Sequence, residues 1–129
     1  MGFLQNFQNA IYALFRFILG AMFALHGAQK ILGFPIDGPK LERFSQLWIG
    51  GVLELVLGAL IAVGLFTRAA AFVASGVMAV AYFQFHKGYV LEGYGWLPIV
   101  NQGELAVVYC FAFLYIASHG GGKASIDRG

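Results

Sequence analysis

Apolar residues run along this chain in four long stretches, separated by short segments that are polar or rich in glycine and proline. The pattern predicts four helices, over about 10–32, 46–66, 68–86 and 103–118. A helix crossing about 30 Å of hydrocarbon needs about 20 residues. The first two stretches meet that length outright. The third and fourth meet it only if their polar ends, His86 and Glu104, lie within the bilayer or its headgroup layer.

The few polar and small residues keep to one face of each predicted helix. At about 100° per residue, Arg16, Gly20, Phe23, His26, Gly27 and Lys30 share one side of the first helix, and Gly50, Gly51, Glu54 and Gly58 one side of the second. Ser75, Ala79, Tyr82 and His86 align on the third, and Glu104, Phe111, Tyr115 and Ser118 on the fourth. These faces are expected to turn inward, with glycines permitting close backbone approach. "GLFTR" (64–68) leaves almost no loop, so the second and third helices are expected to be antiparallel neighbours. A fainter pattern repeats Arg16, His26 and Glu54 in order as Arg68, His86 and Glu104, at different spacings.

Composition turns four helices into a membrane prediction. The 129 residues are 60% hydrophobic and 11% charged, against roughly 25% charged in a soluble domain. The expected fold is therefore all-α, an integral membrane four-helix bundle forming one domain over 1–129, with the lipid membrane as its surroundings. So little charge cannot cover a soluble core of four such helices. The first helix has no preceding Lys or Arg and no cleavage site after it, and is expected to be retained; position 6 is Asn, which does not fit myristoylation. The single cysteine, Cys110, lies within the fourth helix, where it excludes an internal disulfide and is expected to pack. The net charge of +2 includes no basic run, so nothing points to nucleic acid. Cations divide evenly between the two ends of the bundle, and charge therefore gives no orientation.

Ionisable groups inside spans cost about 2.5–3.5 kcal/mol each and by default face the interior. Arg16 and Lys30 are 14 positions apart, which sets them toward opposite faces. His26, Lys30, Glu54, His86 and Glu104 are expected to converge in the half nearer the loops 33–46 and 86–103. Arg16 is left near the other face, with Asp127 of the tail as its expected ion-pair partner. The aromatics Tyr89, Tyr94 and Trp96 suit a bilayer interface or a lid over the cluster. One reading of the cluster is structural, with Lys30 and the glutamates fixing helix register. The other is a site for a small polar head group. A quinone needs a donor or proton source at each carbonyl, which an imidazole beside carboxylates supplies, and Phe23, Tyr82, Phe85 and Phe111 can flank a flat ring. The expected catalytic set is His26, Lys30, Glu54 and Glu104, with His26, Phe23, Tyr82 and His86 binding the cofactor. A metal is disfavoured because no ExxH, HExxH or CxxC occurs and Lys30 would compete for the carboxylates; haem would need His26 and His86 at matching depth.

"RFILGAMFALHGAQKILG" (16–33), "GGVLELVLGALIAVGLFTRAAA" (50–71), "GE" (103–104) and "HGGGKASID" (119–127) resemble the DoxX family of small four-helix bacterial membrane proteins. By that resemblance Arg16, His26, Lys30, Glu54, Arg68, Glu104 and Asp127 occupy motif positions. His86 and the aromatic loop lie outside the motif. The resemblance implies a bacterial inner-membrane location with both termini cytoplasmic, and a quinone-linked redox subunit that works with another redox subunit or as a homo-oligomer. The alternative is a noncatalytic scaffold, or a binding or transport component, whose buried charges serve helix assembly.

Overall fold

In the computed structural model, residues 2–38, 40–86, 93–94 and 96–128 are described, Phe85 and His86 by backbone alone. Among them there are only helices, turns and loops. A short α1 (Gly2–Asn6) leads into α2 (Gln8–Leu32), followed by α3 (Gln46–Val63), α4 (Thr67–Ala81), a π-helical turn (Tyr82–His86), α5 (Pro98–Asn101) and α6 (Glu104–His119). α2 and α3 are long and apolar enough to cross a membrane. α4 and α6 have 15 and 16 residues.

The boundaries have local causes. The Ser45 side chain accepts from the Trp48 N–H (3.3 Å) and so starts α3, while Gly64 at φ 73° ends it in a left-handed turn that a side chain would strain. Only Gly64, Leu65 and Phe66 separate α3 from α4, and the two helices pack side by side.

The tightest crossing joins α2 to α3. A Cβ on Gly20 would stand 2.5 Å from the Ala62 nitrogen and 2.7 Å from the Gly58 oxygen, so the two backbones are in direct contact. Gly27 meets Gly51 and Leu55 in the same way one level further along. On the other side, Ala70, Ala71 and Ala74 of α4 form a small-residue face against α6, which fills the bundle centre with Tyr109, Phe113 and Ile116. Phe23 of α2 completes this core, its ring 4.8 Å from Phe113 and 5.5 Å from Tyr109.

The face of α6 expected to turn inward turns outward. Glu104 is exposed, Phe111 is 65% exposed and Tyr115 54%. The inward set is Ala106, Tyr109, Phe113 and Ile116. This helix is apolar nearly all round, so what orients it is the fit of large rings against the alanine face of α4. Phe23 likewise belongs to the core, 0% exposed, and does not stand free to flank a ligand.

Candidate functional site

The polar residues form two separate constellations, one at each end of the bundle. At the end shared by the termini, Arg16 is 3% exposed. Its guanidinium donates to the carbonyls of Ile61 (3.0 Å) and Ala62 (3.3 Å) in the last turn of α3, and to Gly121 and Ala124 (3.0 Å) in the tail. Those α3 carbonyls belong to the group that any helix end leaves without intrahelical donors. Asp127 does the complementary work at the next helix start. Its two carboxylate oxygens accept from the Phe66 N–H (2.9 Å) and the Thr67 N–H (2.7 Å), where α4 begins. The Thr67 hydroxyl and backbone N–H, with the Phe66 N–H, hold the Asp127 carboxyl below the usual carboxylate range. Arg16 and Asp127 form no salt bridge among the described residues; each ion binds helix-end backbone on either side of the same turn, and the Arg16 charge adds to the lowering of the Asp127 carboxyl. The tail is pinned further by Tyr12, whose hydroxyl donates to the Gly120 carbonyl (2.6 Å), and by backbone hydrogen bonds from Ile126 to Val63 and from Asp127 to Gly64. Arg68 in turn donates to the carbonyls of Ala117, Ser118 and His119 at the end of α6.

At the other end, the Lys30 ammonium donates to Glu54 Oε1, the one salt bridge among the described residues. The Glu54 side chain is 6% exposed and that of Lys30 30%. Both line a groove of about 650 Å³ between α3 and α4 whose remaining walls are mostly apolar, including Leu53, Val77 and Met78. That volume falls within the roughly 300–1,000 Å³ of small-molecule sites. Gly50 and Gly76 also line the groove, and a Cβ on either would meet nothing within 4 Å. Gln46, at the rim, donates to Gln84 of the π turn and ties the two groove helices together. A second groove of about 470 Å³ lies between α4 and α6, lined in part by Met78, Tyr82, Trp96 and Cys110.

The expected residues distribute unevenly over this geometry. Lys30 and Glu54 meet. His26 is half-buried one helical turn from Lys30, its ring edge-on to Tyr109 at 6.2 Å between centroids. Glu104 does not join them, since it is exposed in the first turn of α6, where a carboxylate complements the helix dipole. Tyr82 belongs to the second groove, donating to the Trp96 carbonyl and accepting from the Asn101 side chain (3.1 Å). The side chain of His86, and Tyr89 altogether, lie outside the described residues. Cys110 is partly buried, and its carbonyl accepts from the Ser75 hydroxyl (2.7 Å).

Sequence reasoning missed Tyr109. It is 2% exposed, it touches both Phe23 and His26, and its hydroxyl has no hydrogen-bond partner among the described residues. Its signal is faint: a single hydroxyl on the apolar face of an apolar helix, one turn from Glu104's end.

A sequence model of DoxX matches residues 11–87, which include Arg16, His26, Lys30, Glu54 and Arg68. A protein of Haemophilus influenzae, itself described as uncharacterized, is 39% identical over 131 residues, spanning 99% of this chain and 96% of that protein. No solved structure matches.

Proposed function

The chain belongs to the DoxX family, and from that premise we propose that it is an integral membrane four-helix bundle holding a quinone, or a small molecule with a similar head group, at Lys30 and Glu54. In this reading α2 and α3 cross the bilayer in full, and α4, prolonged by the π turn, and α6 make the shorter crossings. The protein sits in the bacterial inner membrane with both termini cytoplasmic and serves a quinone-linked redox system, with a partner subunit or a second copy completing it.

One observation carries the reading: an ion pair whose carboxylate is buried and whose ammonium is partly exposed lines a mostly apolar groove between two helices. A purely structural pair has no need of such a space beside it. The donor set also fits an oxygen-bearing head group. Lys30 offers an ammonium with three donors, on the groove wall and partly exposed. Glu54 positions that ammonium, and His26, one turn away, exchanges protons with the site. A bound quinone supplies the capacity to carry two electrons and two protons, while electron delivery falls to the partner.

The test is direct. Protein purified in detergent is extracted with organic solvent and the extract searched for quinone by mass spectrometry. Wild type and Glu104→Gln are expected to carry it, and Lys30→Gln and Glu54→Gln to have lost it. An empty wild type whose melting temperature also ignores added decylubiquinone refutes the reading.

A further inference from the structure

The seam between α4 and α6 opens a second time, at the end of the bundle that carries the termini. There a shallow groove of about 500 Å³ is walled by Phe72 of α4 and by Phe111, Leu114, Tyr115, Ala117 and Ser118 of α6. Phe72 and Phe111 are each 65% exposed, and no charged side chain enters the wall. From the end of α6 at His119 back to Phe111 the groove reaches about 12 Å along the helix axis. In a bundle that crosses a bilayer, the helix ends lie at headgroup depth and this groove lies among the acyl chains.

Arg68 stands at the headgroup end of the groove. It precedes Phe72 by four positions and so shares its face of α4. Its guanidinium reaches across to the carbonyls of Ala117 and Ser118, which line the groove, and of His119. A guanidinium carries five N–H donors. Nη1 makes two of these contacts and Nη2 one, so the Nε–H and the second Nη2–H have no partner among the described residues. Those adjacent nitrogens form an edge that matches two oxygens of a phosphate, and Arg68 is exposed.

The surrounding charge selects the headgroup. Lys123 and Arg128 are exposed on the tail at the same end, whereas the one carboxylate side chain there among the described residues, Asp127, is committed to the start of α4. A zwitterionic headgroup would set its own ammonium among these cations, and an anionic one would not.

We propose that this groove holds an anionic phospholipid, its phosphate on the free edge of Arg68 and the upper part of one acyl chain along Phe72, Leu114 and Phe111. This rests on the reading of the chain as a membrane bundle. It is independent of what occupies the groove at Lys30 and Glu54.

Full-length protein in detergent is titrated with palmitoyl-oleoyl phosphatidylglycerol or phosphatidylcholine, and bound lipid is counted by native mass spectrometry, with melting curves in parallel. Wild type is expected to bind the phosphatidylglycerol about tenfold more tightly, as for one charge-assisted contact. Arg68→Gln is expected to lose that preference, and Arg68→Lys to keep only part of it, because an ammonium supplies the charge without the fork. Leu114→Trp fills the groove and leaves Arg68 in place, and is expected to weaken both lipids at an unchanged melting temperature. Should Arg68→Gln unfold for want of its contacts to α6, the Arg68→Lys and Leu114→Trp results decide. Equal affinity of wild type for the two lipids overturns the inference, as does a full preference in either Arg68 variant. Binding untouched by Leu114→Trp puts the lipid elsewhere and overturns it too. Displacement of the lipid by millimolar glycerol 3-phosphate reveals a site for soluble phosphate and is equally fatal. A protein that stays in solution once detergent is removed defeats the membrane reading itself.

Discussion

Replacing Arg16 by Met keeps the apolar stem and deletes the guanidinium, leaving four carbonyls to find other partners. Hydrogen bonds to a charged donor contribute about 1.5–3 kcal/mol each when the acceptor has no alternative. Two of the four count for less, because the Ile61 carbonyl also accepts from the Gly64 N–H and the Ala62 contact is long at 3.3 Å. The guanidinium's own desolvation is recovered on its removal, which brings the expected net loss to about 3 kcal/mol. For a chain of this size that is a melting temperature lower by about 10 °C. Arg16→Lys should fall between, because one ammonium cannot present a planar fork to carbonyls on two different segments. The assay is thermal unfolding in detergent, paired with limited proteolysis of the tail, whose cleavage in Arg16→Met should accelerate before the rest of the chain is cut. A melting temperature within about 2 °C of wild type, with an uncut tail, refutes the reasoning.

Three further outcomes are expected. Asp127→Asn weakens the start of α4: with its carboxyl held below the ordinary range in the folded protein, the stabilisation is present above the unfolded-state pKa and lost as pH falls through the folded one. Wild type should therefore melt higher than Asp127→Asn near neutrality, and the two should converge in acid; a constant gap across pH contradicts the assignment. Gly58→Ala and Gly76→Ala should move stability in opposite directions. At Gly58 a Cβ meets the α2 backbone, including the Gly20 oxygen at 2.6 Å, for a loss of about 1–3 kcal/mol, whereas at Gly76 it meets nothing and helix propensity gains about 0.5–1 kcal/mol. Melting curves in urea or by heat decide both. Lys30→Met should destabilise by about 3–5 kcal/mol by stranding the Glu54 charge, and Lys30→Met with Glu54→Leu should regain most of that loss; a double variant no better than the single one argues against the pair.

What could be read from the sequence depended on whether a helix had two unlike faces. On α2 the sparse polar residues break a greasy surface, and Arg16, Gly20, Phe23 and Gly27 are buried as their spacing implies. On α3 the glycine run marks the approach to α2, although Gly50, counted with that face, opens onto the groove instead. α6 offered no such contrast, so the search for polar residues chose Glu104 and Tyr115 while packing chose Tyr109 and Phe113. The tail motif was visible, but its pairing was not. Opposite charge at the same depth pointed Arg16 at Asp127, whereas unsatisfied backbone at two helix ends offered each ion more than the other could.

The clasp around Arg16 also bears on the order in which the protein can be completed. Its acceptors lie 45, 46, 105 and 108 positions further along the chain. During synthesis the arginine enters early and waits for partners translated more than a hundred positions later, so a ribosome stalled before Gly121 leaves a cation in the young bundle with half its acceptors missing. Quality-control proteases that survey nascent membrane proteins would thereby have a chemical mark of incompleteness, erased only when the segment carrying Gly121 and Ala124 folds back.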